Sequence, residues 1–233
     1  MNKPQKDEAT PLYIASYHGQ DEIVRLLLSH SNIDINKNPD GYSALGMATQ
    51  RNHTEVVQLL TEAGAEYSIL DVGWNDVALV QKCLNEDGCD VNQVNSEGCT
   101  PLFIASGRGH VEIIQTLLTR DDIDVNKPNE DGRTPLWMAS YKGHVQIVQT
   151  LLTRDDIDVN KPTKDGVSPF FVASQQDHVE IVTLLLSLPN IDVNQSMPNG
   201  ASPLIISQTT PMKCRVFLKD KCRVKCYNGI EVV

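Results

Sequence analysis

The sequence predicts an all-α repeat solenoid, with stacked helix–turn–helix units joined by β-turn fingers, on three observations. The stretch QTLLTRDDIDVNKP stands at Gln115–Pro128 and again, letter for letter, at Gln149–Pro162, thirty-four positions on. A Thr/Ser-initiated segment recurs at nearly the same period: TPLYIAS at Thr10, SALGMAT at Ser43, TPLFIAS at Thr100, TPLWMAS at Thr134, SPFFVAS at Ser168 and SPLIISQ at Ser202. A second apolar segment with helical spacing follows most of them at a fixed interval. A catalytic site needs its groups once, so a copied module at constant spacing points to units that stack on one another.

Each element has a local cause. Thr or Ser caps the first free N–H groups of an inner helix, and Pro in the first turn costs no helical hydrogen bond. Gly109 and Gly143 allow the left-handed step that ends that helix. The outer helix follows as HVEIIQTLL or HVQIVQTLL, with Val145, Ile147, Val148, Leu151 and Leu152 at helical spacing. IDVN and DGRT then read as two short extended pieces around an Asp-Gly turn.

At these residues the chain resembles the ankyrin repeat family. The matching motifs are DG-x-TPL-xx-A, the Gly-His between helices, V-x-I-V-xx-LL and IDVN, over about residues 7–207. A tetratricopeptide array has a similar period, but the proline of TPL and the Asp-Gly turn fit its helix interiors badly. The approximate units are 7–39, 40–65, 66–95, 96–130, 131–164, 165–198 and 199–233. The third is degenerate: matching VALVQKCL to VEIIQTLL starts it at Glu66, twenty-three residues after Ser43 and ten or eleven short of a full period, about one finger. This predicts a gap in the row of fingers before it, with the longest unbroken row from about Asp90 to Ser202. The last unit reads as a degenerate basic C-terminal cap, the alternatives being a frayed tail or a helix over about Lys213–Lys219.

Bulk properties exclude several functions. The 233 residues carry net charge −10, and residues 211–233 are basic, leaving the body more acidic still. Such a body repels nucleic acid phosphates and anionic lipid. No apolar run is long enough to span a bilayer, and the N-terminus has no secretory signal pattern. The six cysteines are irregularly spaced, which favours reduced thiols and an intracellular, cytoplasmic setting.

No catalytic, cofactor or metal site emerges. His53, His110, His144 and His178 recur at one repeat position, roughly 10 Å from unit to unit, too far apart for one metal with Zn–N bonds near 2 Å. Hydrogen bonding across the helix connection is their expected role. Cys214, Cys222 and Cys226 are three thiols with no histidine nearby, short of a structural zinc set. Asp121-Asp122 and Asp155-Asp156 repeat along one edge and do not converge on one bond. There is no phosphate loop and no nucleophile elbow.

The resemblance implies a binding surface of inner helices and finger tips whose residues vary over a constant framework. Those positions hold Ser96, Glu97, Cys99 and Arg108; then Glu130, Asp131, Arg133, Tyr141 and Lys142; then Lys164, Asp165, Val167, Gln175 and Gln176. Tyr13, Phe103, Trp137 and Phe171 stand where the family commonly has histidine. The expected partner-binding residues are Arg108, Glu130, Asp131, Arg133, Trp137, Tyr141, Lys142, Lys164, Gln175 and Gln176, with Arg133, Tyr141 and Lys142 at their centre and Trp137 behind them. The segment Leu118 to Asn126 also resembles the preferred target of the asparaginyl hydroxylase that modifies ankyrin repeats. The same spacing marks Asn92, Asn126, Asn160 and Asn194, with a near match at Asn36. Structurally, these asparagines are expected to tie down the finger turn. The function implied is a non-catalytic scaffold or adaptor, a monomer that binds another protein. The alternatives are an inhibitory or targeting subunit of an enzyme, or the ankyrin portion of a larger protein.

Overall fold

The structure, a computed structural model, describes residues 9–37, 41–74, 76–86 and 88–195. The expected basic cap at 199–233, its three cysteines and its helix lie outside them. Among the described residues the chain forms eleven α-helices and one 3₁₀ helix, with no strand. The inner layer runs α1 (Pro11–Tyr17), α3 (Ala44–Gln50), the 3₁₀ helix (Ile69–Trp74), α6 (Pro101–Arg108), α8 (Pro135–Lys142) and α10 (Pro169–Gln175). The outer layer runs α2 (Asp21–Leu28), α4 (Thr54–Glu62), α5 (Val77–Asn85), α7 (Val111–Leu117), α9 (Val145–Leu151) and α11 (Val179–Leu186). Each helix packs on its partner in the unit and on the equivalent helix of the next unit, except that α4 and α5 scarcely touch.

Capping fixes where the inner helices start. The side chains of Thr10, Ser43, Thr100, Thr134 and Ser168 accept from the backbone N–H of Tyr13, Gly46, Phe103, Trp137 and Phe171. The inner helices end in a left-handed residue, Gly143 at φ 77° for α8, with Asn52 and Asp177 filling that place after α3 and α10. At Gly143 a second constraint applies, since an added Cβ would stand 2.6 Å from the imidazole of His178.

That contact assigns the histidines a different role from the one expected. His53 Nε2–H donates to the carbonyl of Tyr17 at 3.2 Å, His144 to Gly107 at 3.3 Å and His178 to Tyr141 at 3.1 Å. Each therefore fastens its own unit to the preceding one and does not bridge the two helices of a single unit. The asparagines behave alike. The turn is tied by aspartate: Asp124 Oδ1 accepts from Asn126 N at 2.9 Å. The Asn126 amide reaches forward, donating to Asp156 O at 2.7 Å and accepting from Asp158 N at 2.8 Å. Asn92 and Asn160 do the same to Asp122/Asp124 and Asn190/Asp192. Lys127 and Lys161 return the link, donating to Asn92 O and Asn126 O.

The fingers are turns, not strands. Asn129 N donates to Arg133 O and Gly132 N to Asn129 O, both at 2.9 Å. Neighbouring tips are joined by single bonds, Glu130 N to Glu97 O at 3.0 Å and Lys164 N to Asp131 O at 3.1 Å. No finger exists between α4 and the 3₁₀ helix, yet the row does not stay open. A Cβ on Gly41 would meet Leu70 and lie 3.4 Å from the Asn95 backbone, so the flanking fingers close on each other. The Tyr42 phenol hydrogen-bonds the Asn95 side chain across this closure, and burial pushes its pKa upward while Arg108 nearby pulls it down.

Burial divides into two clusters. Leu12, Ala15, Val24, Ala44, Leu45, Ala48, Val56 and Leu60 form the first, around α1 to α4. The second runs from Ile69 to Leu185, and Tyr67 packs against both.

Candidate functional site

The inner-helix and fingertip face carries the residues that differ most between units. The helical period sets Trp137 and Tyr141 one turn apart on α8, where i and i+4 side chains meet. Their rings stack with centroids 5.4 Å apart and planes inclined by 14°. Arg133, just before the Thr134 cap, lays its guanidinium 5.1 Å from the Trp137 centroid, and Lys142 places Nζ 5.3 Å from the Tyr141 centroid. Four residues thus form one column: cation, ring, ring, cation. Trp137 is buried, with its indole N–H unpartnered, while Tyr141 is 39% exposed. The cations themselves are solvent-accessible, so each cation–ring contact contributes about 0.5–1 kcal/mol and the column is pre-ordered by modest forces.

Beside the column lies a groove of about 350 Å³, lined by Glu97, Cys99, Phe103, Asn129, Glu130, Asp131, Arg133 and Met138. Two neighbouring fingers form its rim, and α6 and α8 supply its floor through Phe103 and Met138. Asp131 pairs with Arg133 at 3.2 Å, an exposed ion pair contributing at most about 1 kcal/mol. Met138 has no place among the expected site residues. The signal for it was present: Ile14, Met47, Ile104, Met138 and Val172 each stand one position after the aromatic or glycine that is the third residue past the capping Thr or Ser.

The remaining expected residues spread along the same face. Arg108 ends α6 and faces the Tyr42–Asn95 closure. Lys164 stands exposed on the next finger tip, and Gln175 and Gln176 are exposed at the end of α10. They are not drawn into the column. Asn92, Asn126 and Asn160 have both amide atoms engaged between units. A larger groove of about 620 Å³ between α7 and α9 is lined by Val111, Gln115, Leu118, Gln146, Gln149, Thr150 and Thr153. It lies on the outer layer, among framework residues the two units share almost unchanged.

Burial pushes the Cys83 thiol up to about 12 and that of Cys99 up to about 11, away from thiolate reactivity. Among the described residues no three His, Cys, Asp or Glu side chains stand together as a metal set, and no helix is long and apolar enough to cross a membrane. The most perturbed carboxylate, Asp71, is 1% exposed and structural in its contacts. It accepts from Ser43 Oγ at 2.7 Å, Ser43 N at 3.3 Å and Ser68 N at 2.9 Å. Burial still pushes it up to about 7, against the opposing pull of those bonds.

Stacked helix pairs, capped fingers and a variable face over a repeated frame define a repeat solenoid of the binding-module kind. Family profiles agree: "Ankyrin repeats (3 copies)" matches residues 1–71 and 72–163, and "Ankyrin repeat" matches 165–197. The chain belongs to the ankyrin repeat family, whose repeats serve as protein–protein interaction modules and are generally non-catalytic. It is similar to the Nuclear factor NF-kappa-B p105 subunit of Gallus gallus, 34% identical over 113 residues, which cover 42% of this chain and 11% of that protein. It is also similar to the 26S proteasome non-ATPase regulatory subunit 10 of Dictyostelium discoideum, 39% identical over 62 residues, which cover 26% of this chain and 27% of that one. Alpha-latroinsectotoxin-Lt1a of Latrodectus tredecimguttatus is 40% identical over 63 residues, which cover 27% of this chain and 4% of the toxin. The match thus spans only about a tenth of the p105 subunits.

Proposed function

We propose that this chain is a non-catalytic scaffold or adaptor, acting as an intracellular monomer, that docks a partner protein on its concave face of inner helices and finger tips. The column Arg133–Trp137–Tyr141–Lys142 carries the reading. Arginine and aromatic residues are the usual anchors of interfaces, and here they are already ordered against one another before any partner arrives. Arg108, Glu130, Asp131, Lys164, Gln175 and Gln176 flank the column as the rest of the contact surface.

A second reading, an inhibitory or targeting subunit or the ankyrin portion of a larger protein, is favoured by the likeness to proteins named as subunits. It uses the same surface. Asn92, Asn126, Asn160 and Asn194 are proposed hydroxylation positions. One added oxygen per modified unit in the intact mass of native protein supports this, and an unmodified native sample excludes it.

A paired pull-down from source-cell extract tests the main reading. One bait is the intact chain, and the other carries Arg133→Ala, Tyr141→Ala and Lys142→Ala, with unchanged circular dichroism and melting. A protein retained by the intact bait alone supports docking on the column. Equal retention by both baits moves the site elsewhere. An activity that copurifies with the intact bait favours the subunit reading.

A further inference from the structure

Resting on the concave-face reading, we infer that the groove between the fingers of residues 95–99 and 129–133 receives a basic side chain, arginine or lysine, from a protein segment. The floor is apolar, made by Phe103 and Met138 with the Cys99 thiol beside them. The rim carries the carboxylates of Glu97, Glu130 and Asp131 against the single guanidinium of Arg133, so it is net negative. All three acids are solvent-exposed at finger tips, so the field faces outward.

An apolar floor with an acidic rim matches one class of side chain. Arginine and lysine have an apolar stem that lies along hydrocarbon and a charged head kept at the wet edge. A purely aliphatic side chain would fill the floor and leave the carboxylates without benefit. An acidic one would meet like charge at three points, which disfavours the wrong partner as effectively as attraction selects the right one. The rim is also fixed in place. Glu130 N donates to Glu97 O at 3.0 Å, locking the two fingers to each other. An added Cβ on Gly98 would stand 2.9 Å from Glu130 N, so the fingers approach as closely as a glycine permits. The backbone that carries the acids is thereby fixed beside the floor before a bound segment arrives. Asp131 holds Arg133, which in turn lies over Trp137, so the groove and the column share a wall. A bound segment would seat its basic side chain in the groove and run its neighbours along Tyr141 and Lys142.

The experiment is a two-dimensional amide NMR titration of the whole chain with nine-residue Gly/Ser peptides. Each carries one central arginine, lysine, norleucine or glutamate, at about 50 mM salt so that exposed charges are not fully screened. The arginine or lysine peptide is expected to shift amides of residues 97–103 and 129–138. Glu97→Gln with Glu130→Gln is expected to weaken it about fivefold or more while leaving the rest of the spectrum in place. Shifts by the norleucine peptide equal to those by arginine overturn the inference. So does a preference for glutamate; shifts centred on Tyr141 and Lys142 would then leave the concave-face reading standing. No shift by the basic peptides up to about 10 mM also overturns it. The pull-down above decides the wider reading independently.

Discussion

Asn126 serves the molecule in two directions. Its backbone N–H closes the turn on Asp124, and its amide grips the backbone of the following unit at Asp156 and Asp158. Asn126→Ala removes both forward bonds and is expected to cost about 1–3 kcal/mol, read by urea denaturation. Asn126→Asp should not restore it, because a carboxylate would face the Asp156 carbonyl. Unchanged stability in the alanine variant would mean that water replaces the rung at no cost. The periodic position of these asparagines was legible in the sequence, but the direction of their bonds was not. A period identifies equivalent residues and cannot say whether each bonds within its unit or to the next. The same limit hid the histidine–carbonyl links. The column was easier to anticipate at the residue scale. Arg133, Trp137 and Tyr141 follow one another at steps of four, and they differ from their counterparts in units that are otherwise copied.

The 3₁₀ helix over Ile69–Trp74 is where one element departs from the pattern. It takes an inner-layer place, against α3, α5 and α6, in six residues where the other described units use seven or eight. The sequence showed that length was lost, but not which surfaces would meet once it was gone. Leu70 fills the space beneath Gly41, and Asp71 takes up the cap of α3 through Ser43. A polar group so placed is sensitive to charge. With its folded pKa raised from the ordinary carboxylate value to about 7, Asp71 binds its proton more tightly in the folded chain than in the unfolded one. Its contribution is fully present below about 4 and is lost as pH rises toward 7, with a slope on the order of 1 kcal/mol per pH unit. The stability gap between the native chain and Asp71→Asn should therefore narrow between about pH 4 and 7 in denaturation curves. A widening gap would show that the serine donors hold the carboxylate charged.

At the scale of the whole molecule, the two buried clusters imply two cooperative units. Among the described residues the first has eight buried members around α1 to α4, and the second has twenty-three. Between them, α4 and α5 scarcely touch, and the junction is held by Tyr67, the Asp71–Ser43 bonds, the Gly41–Leu70 contact and the Tyr42–Asn95 bond. In a stack where stability is a sum of units and neighbouring interfaces, a weak interface separates the transitions. Hydrogen exchange should show amides of residues 12–60 opening before those of 102–185, and calorimetry should resolve more than one transition. A single transition with uniform protection would mean that the seam couples the clusters fully.

The rungs formed by Asn92, Asn126 and Asn160 have the same donors and acceptors at each junction, which makes the units interchangeable couplings. Joining Pro128 directly to Thr163 would leave Thr163 preceded by the same fourteen residues it follows natively. Asn126 would then offer its amide to Asn190 and Asp192, as Asn160 does now. Ile113, Ile114 and Leu117 would meet α11 in place of Ile147, Val148 and Leu151. The shortened chain should fold, with circular dichroism per residue unchanged, while lacking Arg133, Trp137, Tyr141 and Lys142 altogether. With docking on the column as proposed, recognition in such an architecture is a removable cassette, and the length of the molecule can change by whole periods while the rungs between units are kept.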